Sequence, residues 1–442
     1  MLLSRFTLVM LLVMLAGCST GRQAVTKQAM PDAASVASNA AAVESEPVTH
    51  WPGFRGDGAS HTAAADLPTQ WTDNSLAWRI TLPGYGQSSP IIYDGRVYIT
   101  SVEGDNKEQN TAACYDLATG EVRWVKRFDS SAPQERTMMV SQAAPTGCVD
   151  EAGFYAFFES GDLVAFDHDG NTRWTRSILE QYGRQEQGHG LGSSLAQTND
   201  AIIVLVAHRG PSYLLAIDKQ TGKNRWKTDR EAGTSWASPV VVDAPGGPDQ
   251  PDGKRIITSI SPLAESFDAE TGKRVWRVGG IEKNFVPSPT ITNNTVYIAS
   301  SEPKSNLAIE RGGIGDLSNT HIAWEGGGRP SGFGSPLATD EAVYFVNKAG
   351  AVEALDPKTG GRRWQHVLPE GVWASPVWDT RTDHLYFFCT DGSAVVLKDN
   401  GVAAEVIAEN KLSTTGKVYG VAFVDKHIVL RTDTELIGIS TR

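Results

Sequence analysis

The sequence predicts an all-β fold, an eight-bladed β-propeller of four-stranded antiparallel blades, on three observations. A corner of Asp, Thr-Gly and Trp returns about every fifty residues, a period that marks propellers and solenoids. It stands at Asp116/Thr119-Gly120/Trp124, Asp218/Thr221-Gly222/Trp226, Asp268/Thr271-Gly272/Trp276 and Asp356/Thr359-Gly360/Trp364, with a shortened copy at Asp167/Gly170/Trp174. Inner strands are announced by a small residue and Pro ahead of an apolar run, at Ser89-Pro90, Ala144-Pro145, Ser238-Pro239, Ser288-Pro289, Ser335-Pro336 and Ser375-Pro376; Pro-less heads near Ser193-Ser194 and Gly420-Val421 bring the count to eight. Outer strands give the same number, from Trp78, Trp124, Trp174, Trp226, Trp276, Trp324 and Trp364 plus a worn copy without Trp at 403–408.

Residues 1–18 read as a lipoprotein signal peptide, with Arg5 as the positive end and an apolar core at 6–16 too short to span a bilayer as a mature helix. Its end, Leu15-Ala16-Gly17-Cys18, resembles a bacterial lipobox, which implies cleavage before Cys18 and lipidation there; an ordinary leader with an incidental Cys is the alternative. Ser19 rather than Asp follows, which by analogy with enteric lipoproteins implies the outer membrane. Residues 19–48 are rich in Ala, Ser, Gln and Val without periodicity, the composition of a flexible linker.

Residues 49–442 form the propeller. Blade 3 shows the unit: Ser194-Leu195, then 201–206, then 213–217, then 223–227, each run bounded by turn residues. In the corner the Asp accepts hydrogen bonds from turn amides and the Gly takes positive φ. The corner joins the third strand to the outermost one, where the Trp lies flat against the neighbouring blade. An indole buries about 150–250 Å², and replacing a fully buried one by Ala costs about 3–5 kcal/mol. The first mark after the linker is an outer strand at 76–82, whereas 418–439 holds three strands and no Trp corner. The N-terminal strand therefore completes the blade begun at the C-terminus, which removes free sheet edges.

The formal charge of −11 becomes one unit more negative once Arg5 leaves with the leader, and no basic tract is present, so nucleic acid is excluded as a partner. Cys114, Cys148 and Cys389 are far apart and lack metal-ligand spacing. Cys114 falls where other repeats hold Ala165, Ala216, Ser266 and Ala354, which suits a packed core thiol; the odd number leaves at least one cysteine unpaired, and the sequence does not decide whether any two pair.

Chemistry-bearing candidates are few. Asp243, Asp249 and Asp252 offer oxygen ligands to Ca²⁺ but match no EF-hand spacing, so an acidic hairpin insert is the simpler expectation. His189 in Gln-Gly-His-Gly-Leu-Gly and Arg136 in Glu-Arg-Thr-Met-Met sit in loops before blades 3 and 2, and Arg55 and Asp57 are expected to pin the segment before the ring. Trp236, Phe333 and Trp373 share one phase, two residues ahead of Ser-Pro heads, with Tyr85, Phe285 and Tyr419 close to it. Equal phase in a closed ring gathers these aromatics around one channel mouth, either as a binding rim or packed away on adjacent blades.

The motif Ala-x-Asp-x-x-Thr-Gly-Lys-x-x-Trp at 216–226 resembles the repeat of the pyrroloquinoline-quinone-like propellers, a family of quinoprotein dehydrogenases and non-catalytic relatives, over about residues 76–442. With the lipobox and the chain length, the resemblance extends to the lipoprotein B subunit of the outer-membrane β-barrel assembly machine. Trp51-Pro-Gly-Phe-Arg-Gly56 and Arg311-Gly-Gly-Ile-Gly-Asp316 are similar to signatures of a bacterial subfamily of such propellers. The resemblance implies a lipid-anchored scaffold without a cofactor, facing the periplasm, that binds a protein partner through its loops. The partner-contacting Leu- and Arg-containing segment of the assembly lipoprotein has no clear match. The dehydrogenases of the family are longer, carry a vicinal Cys pair over the quinone and hold Ca²⁺ beside a catalytic Asp; no adjacent cysteines occur here. The alternatives are an enzyme using pyrroloquinoline quinone and Ca²⁺, or a propeller that senses a small ligand. A scaffold is not itself a function, which has to be argued from a site.

Overall fold

Eight antiparallel sheets follow one another along the chain, seven at 91–129, 148–177, 196–229, 240–278, 290–325, 337–367 and 377–411 (blades 1–7) and the last at 420–440 (blade 8). The computed structural model describes residues 48–441 apart from 136–140, 185, 187–188, 232, 247–252, 284 and 303–304. The leader, Cys18 and the linker lie outside the described residues, as does Arg136. Blade 8 has three strands of its own and takes its fourth from Leu76–Thr81, which pairs antiparallel with Glu435–Ser440. Ring closure thus follows the sequence expectation.

The corner works as its chemistry requires. Asp218 Oδ1 accepts from the Thr221 amide at 2.9 Å and from its hydroxyl at 2.8 Å, and Gly222 takes φ of 68°. The Thr hydroxyl, then the Thr amide, hold the Asp218 and Asp356 carboxyls below the ordinary range. The absence of a Cβ is used directly. A Cβ on Gly120, Gly170, Gly222, Gly272 or Gly360 would stand under 3.0 Å from the indole of the preceding blade. Trp78, Trp124, Trp174, Trp226 and Trp324 lie on those glycines, and their Nε1 groups donate to Leu117, His168, Lys219, Ala269 and Pro357 carbonyls at 2.8–3.0 Å. Trp364 donates instead to Asp399 Oδ1 at 2.8 Å. Each corner is therefore a bolt into the next blade.

Two seams depart from this scheme. Trp276 meets no Thr-Gly corner; Gly315–Asp316, from the Arg311–Asp316 signature, pairs parallel with Trp276 and Arg277 and covers the outer edge of blade 4. Blade 7 has Ala408 in the Trp register, opposite Val396. There Trp71, from the segment before the ring, is buried in the cluster joining blades 7, 8 and 1, stacking on Phe388 at 6.1 Å between ring centroids. Asn410 fixes it, accepting from the Trp71 amide at 2.8 Å and donating to the Thr69 carbonyl at 3.0 Å. An indole thus reaches this seam from outside the repeat.

The strand heads carry a second circumferential device. Each head amide donates to the head hydroxyl of the next blade: Ser89 to Thr146, Thr146 to Ser194, Ser194 to Ser238, Ser238 to Ser288, Ser288 to Ser335 and Ser335 to Ser375, at 2.8–3.1 Å. In blade 2 the head is Thr146, two residues later than Ala144-Pro145 suggests. Blade 8 interrupts the belt with Gly420, where a Cβ would stand 2.3 Å from Ser89 Oγ.

Candidate functional site

The central channel is not left empty by the chain. His50–Trp51 adds antiparallel to the inner edge of blade 1 at Ile92 and Tyr93, and His61–Thr62 adds parallel to blade 7 at Trp378 and Asp379. Between them the chain crosses the channel as a strap, with the Pro52 carbonyl accepting from the Val149 amide of blade 2 at 2.9 Å. Arg55 is the centre of the strap. Its side chain is buried, its backbone is left-handed at φ 61°, and its guanidinium donates to Ser60 Oγ, Pro289 O, Thr290 Oγ1 and Pro336 O at 2.6–3.1 Å. Burial pushes its pKa down to about 9, against the opposing pull of the nearby Asp57 charge. Asp57 does not share the pinning role; it is exposed and caps a local turn through the Ala59 amide at 3.0 Å.

The strap strands pair at the ends of inner strands remote from the heads, so the aromatic residues ahead of the heads belong to the other face, built from inter-blade loops. They form two groups rather than one rim. Phe333 stacks on Trp373 at 4.2 Å, Trp373 meets Tyr419 edge-on at 5.2 Å, and Lys417 Nζ lies 4.4 Å from the Trp373 ring. All three rings are half-buried, which contradicts both a fully exposed rim and a fully packed one. Trp236 is separately engaged, donating from Nε1 to the Gly190 carbonyl at 2.9 Å and standing 5.9 Å from the exposed His189 ring. Phe285 is exposed, whereas Tyr85 is a core residue of blade 1 that donates to the Gly104 carbonyl at 2.8 Å.

Sequence reasoning missed the charges buried between the loops of this face. Lys107 and Glu159 form a buried ion pair at 3.2 Å; Lys107 also donates to the Ser141 carbonyl, and burial raises the Glu159 pKa. Arg431 occupies a core position of blade 8 and donates to the Thr100 carbonyl of blade 1 at 2.9 Å, with its pKa pushed down to about 9 by burial. A polar residue inside an otherwise apolar strand, as in His-Ile-Val-Leu-Arg431, was the available signal.

The remaining candidates carry no chemistry. Asp243 pairs with Lys254 at 2.7 Å across its hairpin, and Asp249 and Asp252 lie outside the described residues. No group of three His, Cys, Asp or Glu side chains is placed to hold a metal among the described residues. Cys114, Cys148 and Cys389 are buried free thiols, and burial pushes the first two up to about 12.

The family model described as outer membrane protein assembly factor BamB matches residues 36–244, 183–311 and 210–440. Among solved structures, BamB from Moraxella catarrhalis superposes with a TM-score of 0.56 at 15% identity, covering 83% of this chain and 99% of that one. A europium-containing methanol dehydrogenase gives 0.67 at 11% identity, covering 90% and 99%. At these identities the likeness is one of fold. A serine/threonine-protein kinase AfsK of Streptomyces coelicolor is 28% identical over 163 residues, 36% of this chain. A tetrathionate hydrolase of Acidithiobacillus ferrooxidans is 24% identical over 147 residues, 33% of this chain. Those alignments span only 17% and 24% of the two proteins' own lengths.

Proposed function

The chain belongs to the outer membrane protein assembly factor BamB family, and on that premise we propose that it is a non-catalytic, lipid-anchored scaffold of the bacterial envelope that docks a protein partner of outer-membrane assembly on its loop face. The observation that carries the reading is the contiguous row of Phe333, Trp373 and Tyr419. Half-buried aromatics on a rigid frame give contact area at little entropic cost, and Lys417 beside Trp373 adds a charge at the row's edge. Loops on rigid supports are where recognition concentrates. Lipidation at Cys18 and a periplasm-facing position at the outer membrane belong to the same proposal.

Absence of a quinone belongs to it as well. Arg55 spends its donors on the inner strands of blades 5 and 6, and the strap occupies channel space that an axial cofactor would need. Pyrroloquinoline quinone added with Ca²⁺ to the purified protein is expected to give neither saturable binding nor dye reduction. The docking reading is tested with Phe333→Ser/Trp373→Ser. Affinity capture from detergent-solubilised envelopes should enrich a component of the outer-membrane assembly machinery with the wild-type chain and lose it with the variant, while the melting temperature shifts little. Undiminished capture by the folded variant refutes the aromatic row as the docking surface.

A further inference from the structure

Five blades place a tyrosine at one register of the second strand, across from the residue that in turn faces the Trp position of the outer strand: Tyr98, Tyr155, Tyr297, Tyr344 and Tyr386. All five are buried, and each phenol finds a different fate. The Tyr386 hydroxyl has no hydrogen-bond partner among the described residues. Tyr155 accepts from Arg173 at 3.2 Å, Tyr297 reaches the Pro357 carbonyl at 3.5 Å, and Tyr344 donates to Asp399 Oδ2 at 2.8 Å. Tyr98 meets an imidazole, its hydroxyl 2.6 Å from His168 Nδ1 in the corner of blade 2. A carbonyl or a carboxylate serves the same register elsewhere, so burying the phenol does not by itself require an imidazole.

The direction of that bond is fixed by the other ring nitrogen. His168 Nε2 lies 3.2 Å from the Glu151 carbonyl, which can only accept, so Nε2 carries the hydrogen of the neutral ring and Nδ1 offers its lone pair to the phenol. Tyr98 therefore donates into a base. Cys114, across the two strands, is no second one, since burial pushes the thiol up to about 12 and keeps it neutral. Trp124, 6.0 Å from Tyr98 between ring centroids, gives its Nε1 hydrogen to the His168 main-chain carbonyl, which cannot take a proton. The pair also has a route to the surface. Half-buried Tyr93 stacks on His168 at 5.3 Å, and exposed His50 of the strap stacks on Tyr93 at 4.1 Å.

We infer that Tyr98 and His168 form a proton-coupled redox pair, which takes up one oxidising equivalent from a one-electron oxidant, an oxygen-centred radical or a high-potential metal complex, arriving at the strap face. The oxidant gains one electron from the Tyr98 phenol. The O–H bond breaks, its proton forms an N–H bond at His168 Nδ1, and a neutral tyrosyl radical is left beside an imidazolium that keeps its Nε2 hydrogen on the Glu151 carbonyl. A phenol that loses an electron becomes a strong acid, so a base already in hydrogen-bond reach avoids the buried charged intermediate that Tyr386 would have to form. Return of one electron from a reductant reverses both transfers. The site is separate from the aromatic row and does not depend on the scaffold reading.

Flash oxidation of the full chain by photogenerated ruthenium(III) tris-bipyridine tests this, with the radical followed by transient absorption and electron paramagnetic resonance. A long-lived neutral tyrosyl signal is expected in the wild type, absent in Tyr98→Phe and unchanged in Tyr344→Phe, which alters the same register where no imidazole stands. His168→Gln keeps a hydrogen-bond acceptor without a base, and should slow formation of the signal by about a hundredfold, the order that a positioned base contributes. Should Tyr98→Phe or His168→Gln fail to fold, the wild-type radical in deuterated water still decides, because a deuteron held on the imidazolium against the phenoxyl oxygen gives one resolved deuterium coupling. Absence of the long-lived signal or of that coupling in the wild type, persistence of the signal in Tyr98→Phe, an equal loss in Tyr344→Phe, or an unchanged rate in His168→Gln overturns the inference.

Discussion

Blades 3 and 4 are neighbours built on one plan, and their interiors are opposites. In blade 3 the two central strands, Ala201–Val206 and Tyr213–Asp218, bury an almost unbroken apolar surface. In blade 4, Lys254–Ile260 and Leu263–Asp268 place Thr258, Ser259, Glu265 and Ser266 in the same buried registers. The hydroxyls of Thr258, Ser259 and Ser266 have no hydrogen-bond partner among the described residues. Yet both blades carry the Asp-Thr-Gly corner, and both receive a Trp from the blade before. Architecture is therefore set at the corners, and the interior of a single blade is free to become polar, with the ring around it supplying the stability that the blade lacks.

The sharpest way to break this contrast is at Glu265. Glu265 is buried and pairs with Arg230 and Arg274, so Glu265→Leu removes the partner of two arginines and should destabilise the protein by about 3–5 kcal/mol, measured by urea unfolding. Adding Arg230→Met should recover most of that loss, because an apolar pair of similar volume fills the seam without a charge to desolvate. A double variant as unstable as the single would mean that the polar interior is required for folding. At the next level, Ile203→Ala in blade 3 should cost about 2–5 kcal/mol through an apolar cavity, whereas Ser266→Ala in blade 4 should change stability by no more than about 1 kcal/mol, level or upward, since it deletes an unmade hydrogen bond. Equal losses at the two positions would erase the distinction between the blades.

The smallest effect is one of pH. His208, just past the second strand of blade 3, is buried, and burial lowers its pKa from the ordinary 6.5. The unfolded chain then takes up the proton first, so stability that is full above pH 6.5 falls as the pH drops through and below that value. His61, His384 and His427 are shifted the same way, again chiefly by burial. The melting temperature should decline from pH 7.5 to 5, and less steeply in His208→Gln; an unchanged slope in that variant would remove His208 from the account.

The eight blades, their corners and the closure by Leu76–Thr81 were legible because a repeat prints its period on the sequence. What lay outside the repeat left no such mark. Arg55 was legible as a pin for the segment before the ring, but not the path of that segment across the channel to blades 5 and 6; the missing Trp at 403–408 was legible too, but not that Trp71 packs in the cluster there. The hydroxyl belt was half legible. Ser-Pro marked the heads, but the property that matters is a hydroxyl at fixed phase, and the missing Pro after Thr146 hid its place in blade 2. Among the aromatics, phase predicted a shared level in the ring but not which rings touch, since contact depends on loop lengths that differ between repeats. The buried ion pairs of Glu265 with Arg230 and Arg274, and of Glu353 with Arg329 and Arg362, were missed because each glutamate interrupts the apolar pattern of its strand, and two such positions among eight blades are too few to read as a period.

The pairing of Leu76–Thr81 with Glu435–Ser440 also sets a timetable. A chain delivered from its N-terminus presents the closing strand first and must wait for nearly the whole polypeptide before its mate arrives. Until then the strand's hydrogen-bonding edge has no native partner, and seven sheets stand in an open arc. Completion is therefore all-or-none with respect to length: a product truncated short of residue 435 lacks the clasp however well its earlier sheets have formed.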